Sequence, residues 1–148
     1  MEPAQTLTPS SPALTDRVRA FLEQPLFASI ATTDTNGAPR QAVIWYRLEA
    51  DGRILVNSRV SRFWPANLQR DGRVSLAVIG ADGYSWVGLT GRVDEVDDDP
   101  ARALADIEAL AWRYHPDGAD PEDLASYRAY PRITFRIAVE RVHDHLED

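Results

Sequence analysis

Residues 26–59 read LFASIATTDTNGAPRQAVIWYRLEADGRILVNSR. An apolar, β-branched run, Leu26–Thr33, ends at Asp34-Thr35-Asn36-Gly37, where Asn and Gly tolerate the left-handed backbone of a tight turn. Pro39–Glu49 (PRQAVIWYRLE) predicts a second strand, Ala50-Asp51-Gly52 a second turn, and Arg53–Ser58 (RILVNS) a third strand. Turns this short join antiparallel neighbours only, because a parallel pair needs a long crossover. The stretch therefore predicts a β-meander and argues against a doubly wound parallel sheet.

The same period analysis extends outward. Before the meander, Leu14, Val18, Phe21 and Leu22 recur at helical spacing, with Thr15 or Ser11 as candidate N-cap and Gln24-Pro25 as the stop. After it, Ser61–Asp71 (SRFWPANLQRD) predicts a helix with Ser61 as N-cap, Pro65 in the first turn and Gly72 beyond the end. Arg73–Ala81 and Tyr84–Val96 predict a hairpin about Asp82-Gly83. Asp99-Pro100 opens a helix whose Leu104, Ile107, Leu110 and Ala111 share a face up to Tyr114. A short helical stretch, Pro121–Tyr130, precedes a last strand from Arg132 to about His143. Six strands and three or four helices predict a mainly β, α+β architecture, a small antiparallel barrel with peripheral helices. Residues 1–12, rich in Pro and Ser, predict a flexible N-terminal arm, and 13–148 a single domain.

Composition removes whole classes of chemistry. The 148 residues carry 23 acids and 16 bases, a net charge of −7, and contain no Cys. All the bases are Arg. Without Cys there are no disulfides, thiol nucleophiles or Cys-ligated metals. Without Lys there is no side-chain Schiff base and no P-loop lysine. The acidity argues against nucleic acid or an anionic membrane as partner. No apolar run approaches the ~20 residues of a membrane helix, so a cytoplasmic protein is expected.

Catalytic constellations are lacking too. His143 and His145 share a strand face, but the third histidine, His115, lies far away in sequence and no metal site is expected. The acidic run Asp94, Glu95, Asp97, Asp98 and Asp99 lacks the order of a calcium loop, and helix capping by Asp98 or Asp99 accounts for part of it. There is no G-x-S-x-G nucleophile elbow.

One segment reverses the charge balance. Arg53, Arg59, Arg62, Arg70 and Arg73 fall in 21 residues whose single acid is Asp71. The segment joins a strand end to a helix start, where free amides, Arg side chains and the hydroxyls of Ser58 and Ser61 suit a phosphate. Solvated or paired arginines are the competing reading. Trp45, Trp64, Tyr84 and Trp86 suit a planar ligand, although core packing is the commoner role for any one Trp.

Taken in order, LFASIATTDTNGAPRQAVIWYRLEADGRILVNSR, SRFWPANLQRDGRVSLAV, DGYSWVGLTGRVDEVDDDP and RITFRIAVERVH resemble the pyridoxamine 5′-phosphate oxidase-like split β-barrel superfamily. Within it the chain is most similar to the flavin or deazaflavin (coenzyme F420)-dependent oxidoreductases, over about residues 14–143. The resemblance implies a six-stranded antiparallel split β-barrel, a homodimer with cofactor sites at the interface, and coenzyme F420, or alternatively FMN, as cofactor. It implies that Asn57, Ser58, Ser61 and Arg62 hold the phosphate, with Asn67-Leu68 matching an Asn-Leu pair on the next helix. Gln41, Ala42, Val43 and Ile44 match the strand whose backbone lines the ring edge. Tyr84 and Trp86 match aromatic positions on a hairpin reaching over from the partner subunit. The pattern departs at Phe63, Trp64 and Pro65, which stand where many members carry a basic residue, often Lys. Arg62 remains there, with Arg59 as a substitute, and Trp64 is placed to stack on a ring. The implied function is hydride transfer between a deazaflavin and a planar conjugated small-molecule acceptor, without a catalytic side chain. The alternatives are an FMN-binding oxidase or reductase, and a non-enzymatic flavin- or haem-binding protein.

Overall fold

The computed structural model describes residues 14–147. The expected arm, residues 1–12, and the alternative cap Ser11 lie outside the described residues. Thr15 caps α1 (Asp16–Leu22), its hydroxyl accepting from the Val18 amide at 3.2 Å. There follow β1 (Ala28–Thr33), β2 (Pro39–Ile44), β3 (Arg47–Leu48), β4 (Ile54–Arg59), α2 (Phe63–Arg70), β5 (Arg73–Ile79), β6 (Trp86–Asp97), α3 (Pro100–Tyr114), α4 (Pro121–Arg128) and β7 (Arg132–His145). The strands form one antiparallel sheet in the order β2-β1-β5-β6-β7-β4-β3.

The expected split barrel is present with seven strands in place of six. Pro39–Glu49 is not one strand: β2 pairs with β1, whereas β3 pairs with β4. Those partners belong to opposite edges of the sheet. In a flat sheet, six strand spacings of ~4.8 Å would part the edges by roughly 29 Å. Three Cα steps, Ile44 to Arg47, reach about 11 Å at most. The sheet must therefore curl until its edges approach, and Trp45-Tyr46 bridges the split.

Tyr46 is pinned at that bridge. It is fully buried, and its hydroxyl donates to the Leu22 carbonyl at 2.8 Å and lies 3.1 Å from that of Gln24. Burial raises its phenol pKa above the usual value. Its backbone carbonyl accepts from Arg113 Nε at 3.0 Å, and its amide donates to the Tyr114 hydroxyl at 3.1 Å. Arg113 also donates to the carbonyls of Leu22, Glu23 and Gln24, closing the C-terminal end of α1 with a cation where the helix dipole favours one.

Inside the curl, alternating residues of β1 and β5 (Ile30, Leu76, Val78) meet Leu22, Val56 and Phe135 in one core. β4 is buried on both faces. Ile54 and Val56 point into the barrel, while Leu55 packs under Ile107 and Leu110 of α3. Asp99 caps α3 by accepting from the Arg102 amide at 3.0 Å, with Pro100 in its first turn.

The cap of α2 differs from expectation. Arg62 occupies the N-cap position, and among the described residues no side chain caps the helix. The reason is Pro65. A helix capped at Ser61 needs an amide at position 65 to bond the Ser61 carbonyl, and proline has none. The first available amide is that of Ala66, so the helix starts one residue later.

β6 slips register on β7 at Thr90/Gly91 and at Val93/Glu95, which bends the pair around the core. At Gly91 a Cβ would strike the backbone carbonyl of Ala138, which is not free to move. Gly91→Ala is expected to lower the unfolding free energy by about 1–3 kcal/mol. Urea denaturation checks this, and an unchanged midpoint would remove the close approach from the account.

Candidate functional site

Where α3 leaves the end of β4 uncovered, a cleft of about 290 Å³ opens. Phe27, Val43, Ile44, Trp45 and Trp64 line its apolar side, and Asn57, Arg59, Arg62 and Arg132 its polar side. The rings are ordered. Trp45 stacks on Tyr114 at 4.8 Å between centroids and 10° between planes, and Phe27 continues the stack at 6.1 Å. Phe27 and Val43 are 61% and 75% exposed, so apolar surface lies open at the cleft mouth.

The arginines sort into two groups. Arg53 bonds Asp51, Asp94 and Glu95. Arg73 bonds Asp71 and holds that carboxyl at about 2 through those hydrogen bonds. Arg70 donates to Asn67 Oδ1 and to the Thr33 carbonyl. Arg59, Arg62 and Arg132 have no carboxylate partner among the described residues. Arg59 and Arg132 lie directly opposite each other where β4 pairs with β7, an arrangement that repels unless an anion intervenes. Arg59 lies 4.0 Å over the Tyr130 ring and Arg132 5.3 Å from that of Tyr127.

Arg132 is 8% exposed. Its Nε donates to Asn57 Oδ1 at 2.8 Å, and among the described residues nothing accepts from its terminal nitrogens. Burial draws its pKa down to about 10, with the charges of Arg62 and Arg59 acting the same way against Tyr127. It remains a cation at neutral pH. Beside these cations, the α2 amides of Phe63 and Trp64 start a helix without a side-chain cap. Guanidinium donors, an open helix N-terminus and an aromatic wall together suit a planar molecule carrying a phosphate.

A family model described as pyridoxamine 5′-phosphate oxidase matches residues 14–146. The chain belongs to the pyridoxamine 5′-phosphate oxidase family. Among solved structures, an F420 reductase superposes with a TM-score of 0.73 at 23% identity, covering 84% of this chain and 94% of that one. A conserved hypothetical protein from Mycobacterium tuberculosis gives 0.69 at 23% identity, covering 93% and 91%. A haem storage protein from Vibrio cholerae gives 0.65 at 15% identity, covering 88% and 94%. These likenesses show the shared fold. No match was found among curated proteins.

In this family member the residues singled out in the sequence divide between several places. Val43, Ile44, Asn57, Arg59, Arg62 and Trp64 line the cleft. Ala42 and Gln41 precede them on β2, and Gln41 lines a separate hollow of about 660 Å³ with Trp86 and His143. Trp86 is stacked there on His145 at 4.2 Å. Tyr84 is 76% exposed in the β5–β6 turn. Ser58 is fully buried and donates to the Arg59 carbonyl, and Ser61 is exposed beside the cleft. Asn67 is buried, donating to Thr32 and Asp34, so it ties α2 to β1. Trp64 is both wall and core, packed at 6.2 Å on Phe135.

Sequence reasoning missed Arg132, Tyr127 and Phe27. The arginine-rich window ended at residue 73, and Arg132 joins it through strand pairing alone. An available signal was the X-Pro-Arg start of the last strand, a cation adjoining two tyrosines in YRAYPR.

If the three arginines form an anion site, inorganic phosphate should stabilise the fold relative to chloride at equal ionic strength. At ten times its Kd the gain is about 1.4 kcal/mol. Arg62→Ala and Arg132→Ala should each reduce it in thermal melts. Equal stabilisation of all three proteins would place the anion elsewhere.

Proposed function

We propose that this protein is an oxidoreductase that holds coenzyme F420, a deazaflavin, in the Arg59–Arg62–Arg132 cleft and acts on a planar conjugated small molecule. The observation that carries the reading is a buried guanidinium, Arg132, with free terminal donors beside a stacked aromatic wall. The likeness to a solved F420 reductase favours the deazaflavin over FMN. When bound, such a cofactor supplies the hydride exchange itself.

The chain's own residues have simpler tasks. Arg59, Arg62 and Arg132 neutralise the phosphate, and the first amides of α2 add donors. Val43 and Ile44 present their strand edge to the ring. Trp45, Phe27 and Trp64 exclude water from one side of it. Among the described residues no histidine, Asp or Glu lines the cleft, which agrees with chemistry carried by the cofactor. The exposed Phe27, Val43 and Tyr84 suit a homodimer in which the partner's hairpin, with Tyr84 and Trp86, covers the cleft mouth.

Fluorescence titration with F420 and with FMN tests the reading. F420 should bind with a Kd in the micromolar range or below, about −8 kcal/mol. Arg62→Ala should weaken it by about 1–3 kcal/mol, the scale of one charged hydrogen bond. Tighter binding of FMN would exchange the cofactor, and a Soret band in the purified protein, with neither flavin bound, would replace the reading with haem.

A further inference from the structure

Among the described residues, the nearest carboxylate hydrogen-bonded, even indirectly, to Arg132 lies three bonds away. Arg132 Nε donates to Asn57 Oδ1 at 2.8 Å. Asn57 Nδ2 donates to Thr134 Oγ1 at 2.9 Å and to the Ala103 carbonyl at 2.9 Å. Thr134 Oγ1 donates to Asp106 Oδ2 at 2.8 Å. Asn57, Thr134 and Arg132 are all buried. The three bonds from Arg132 to Asp106 all run the same way, from cation to carboxylate, so each polarises the next.

We infer that Asn57 and Thr134 are positioning residues that aim Arg132 into the anion site, with the Asp106 carboxylate anchoring the far end of the chain. This rests on the cleft being the anion site. The amide orientation of Asn57 is fixed by chemistry. Both of its hydrogens have acceptors, and a flip would set its oxygen against the Ala103 carbonyl. Oδ1 must then face Arg132. Among the described residues, Thr134 alone both accepts from Asn57 and donates to Asp106.

Placing the charge at a distance has a consequence. A carboxylate at position 57 would pair with Arg132 directly and occupy the donors a ligand needs. A neutral amide orients the guanidinium through Nε alone and leaves the terminal nitrogens open. Arg132 is thereby held as a buried cation that an incoming anion completes. Asn57 thus selects for anion binding without touching the anion's charge.

The test measures F420 and FMN affinities of the full chain and five variants, with thermal melts alongside. Arg132→Ala should weaken the bound cofactor about tenfold or more, and Thr134→Val by about tenfold, the scale of a charged hydrogen bond lost or misaligned. Thr134→Ser, which keeps the hydroxyl, should restore affinity to within about twofold. Asn57→Asp should bind at least as weakly as Arg132→Ala. The Arg132→Ala/Thr134→Val double variant should bind no more weakly than Arg132→Ala alone, since Thr134 acts through Arg132. Wild-type affinity in Arg132→Ala overturns the anion site itself. Loss in Arg132→Ala with wild-type affinity in Thr134→Val, or multiplying losses in the double variant, overturns the positioning role alone. If Thr134→Val does not fold, Asn57→Asp decides, and wild-type affinity there overturns the inference.

Discussion

Two residues join the two edges of this sheet. Trp45-Tyr46 connects β2 to β3, which lie at opposite ends of the strand order, and everything else about the architecture follows from that short reach. The curl it enforces makes an inside for Ile30, Val78 and Phe135. It also makes the split, and the same dipeptide furnishes it. Tyr46 turns inward and locks α1 and α3 through backbone carbonyls, while Trp45 faces the cleft and stacks on Tyr114. Closure of the fold and one wall of the site are therefore a single event in the chain.

The opposite wall arises from register. The β4–β7 ladder pairs Leu55 with Arg136, Asn57 with Thr134 and Arg59 with Arg132, all on the face that α3 covers. Along that face the side chains change from apolar to amide and hydroxyl to cation. Arg136 at one end is paired to Glu49 and Glu95, whereas Arg132 at the other has no carboxylate partner among the described residues. A protein with 23 acids does not lack partners for it. Two arginines opposite each other, and a third at the head of α2, form a cost that the fold bears and that bound negative charge would offset.

Local chemistry was legible in the sequence, and long-range pairing was not. Gly37, Gly52 and Gly83 all take positive φ where Asn-Gly and Asp-Gly predicted turns. Thr15 and Asp99 cap the helices they precede. The break at Trp45-Tyr46 was hidden because the apolar and aromatic run Ala42–Tyr46 carries straight across it. Nothing local shows that its halves serve different edges. The same limit explains the site. Arg59 and Arg62 were found because they neighbour each other in sequence, and Arg132 was not because its proximity depends on the β4–β7 register. The basic window also overstated the site, since Arg53, Arg70 and Arg73 are bonded within the fold.

The departure at Phe63-Trp64-Pro65 gains a physical explanation from this arrangement. Trp64 is buried against Phe135 and cannot be exchanged for a cation without opening the core. Pro65 shifts the N-cap of α2 to Arg62, which puts that residue at the open N-terminus of the helix. The charge absent from the helix is supplied from β7, by a residue 70 positions further along the chain. Arginine suits that location better than lysine would. Its Nε can be tied to Asn57 while two terminal nitrogens stay free, a division of labour that a single ammonium cannot make. The absence of lysine from the whole chain thus leaves the site with a donor set that is planar, fixed in direction and held from behind.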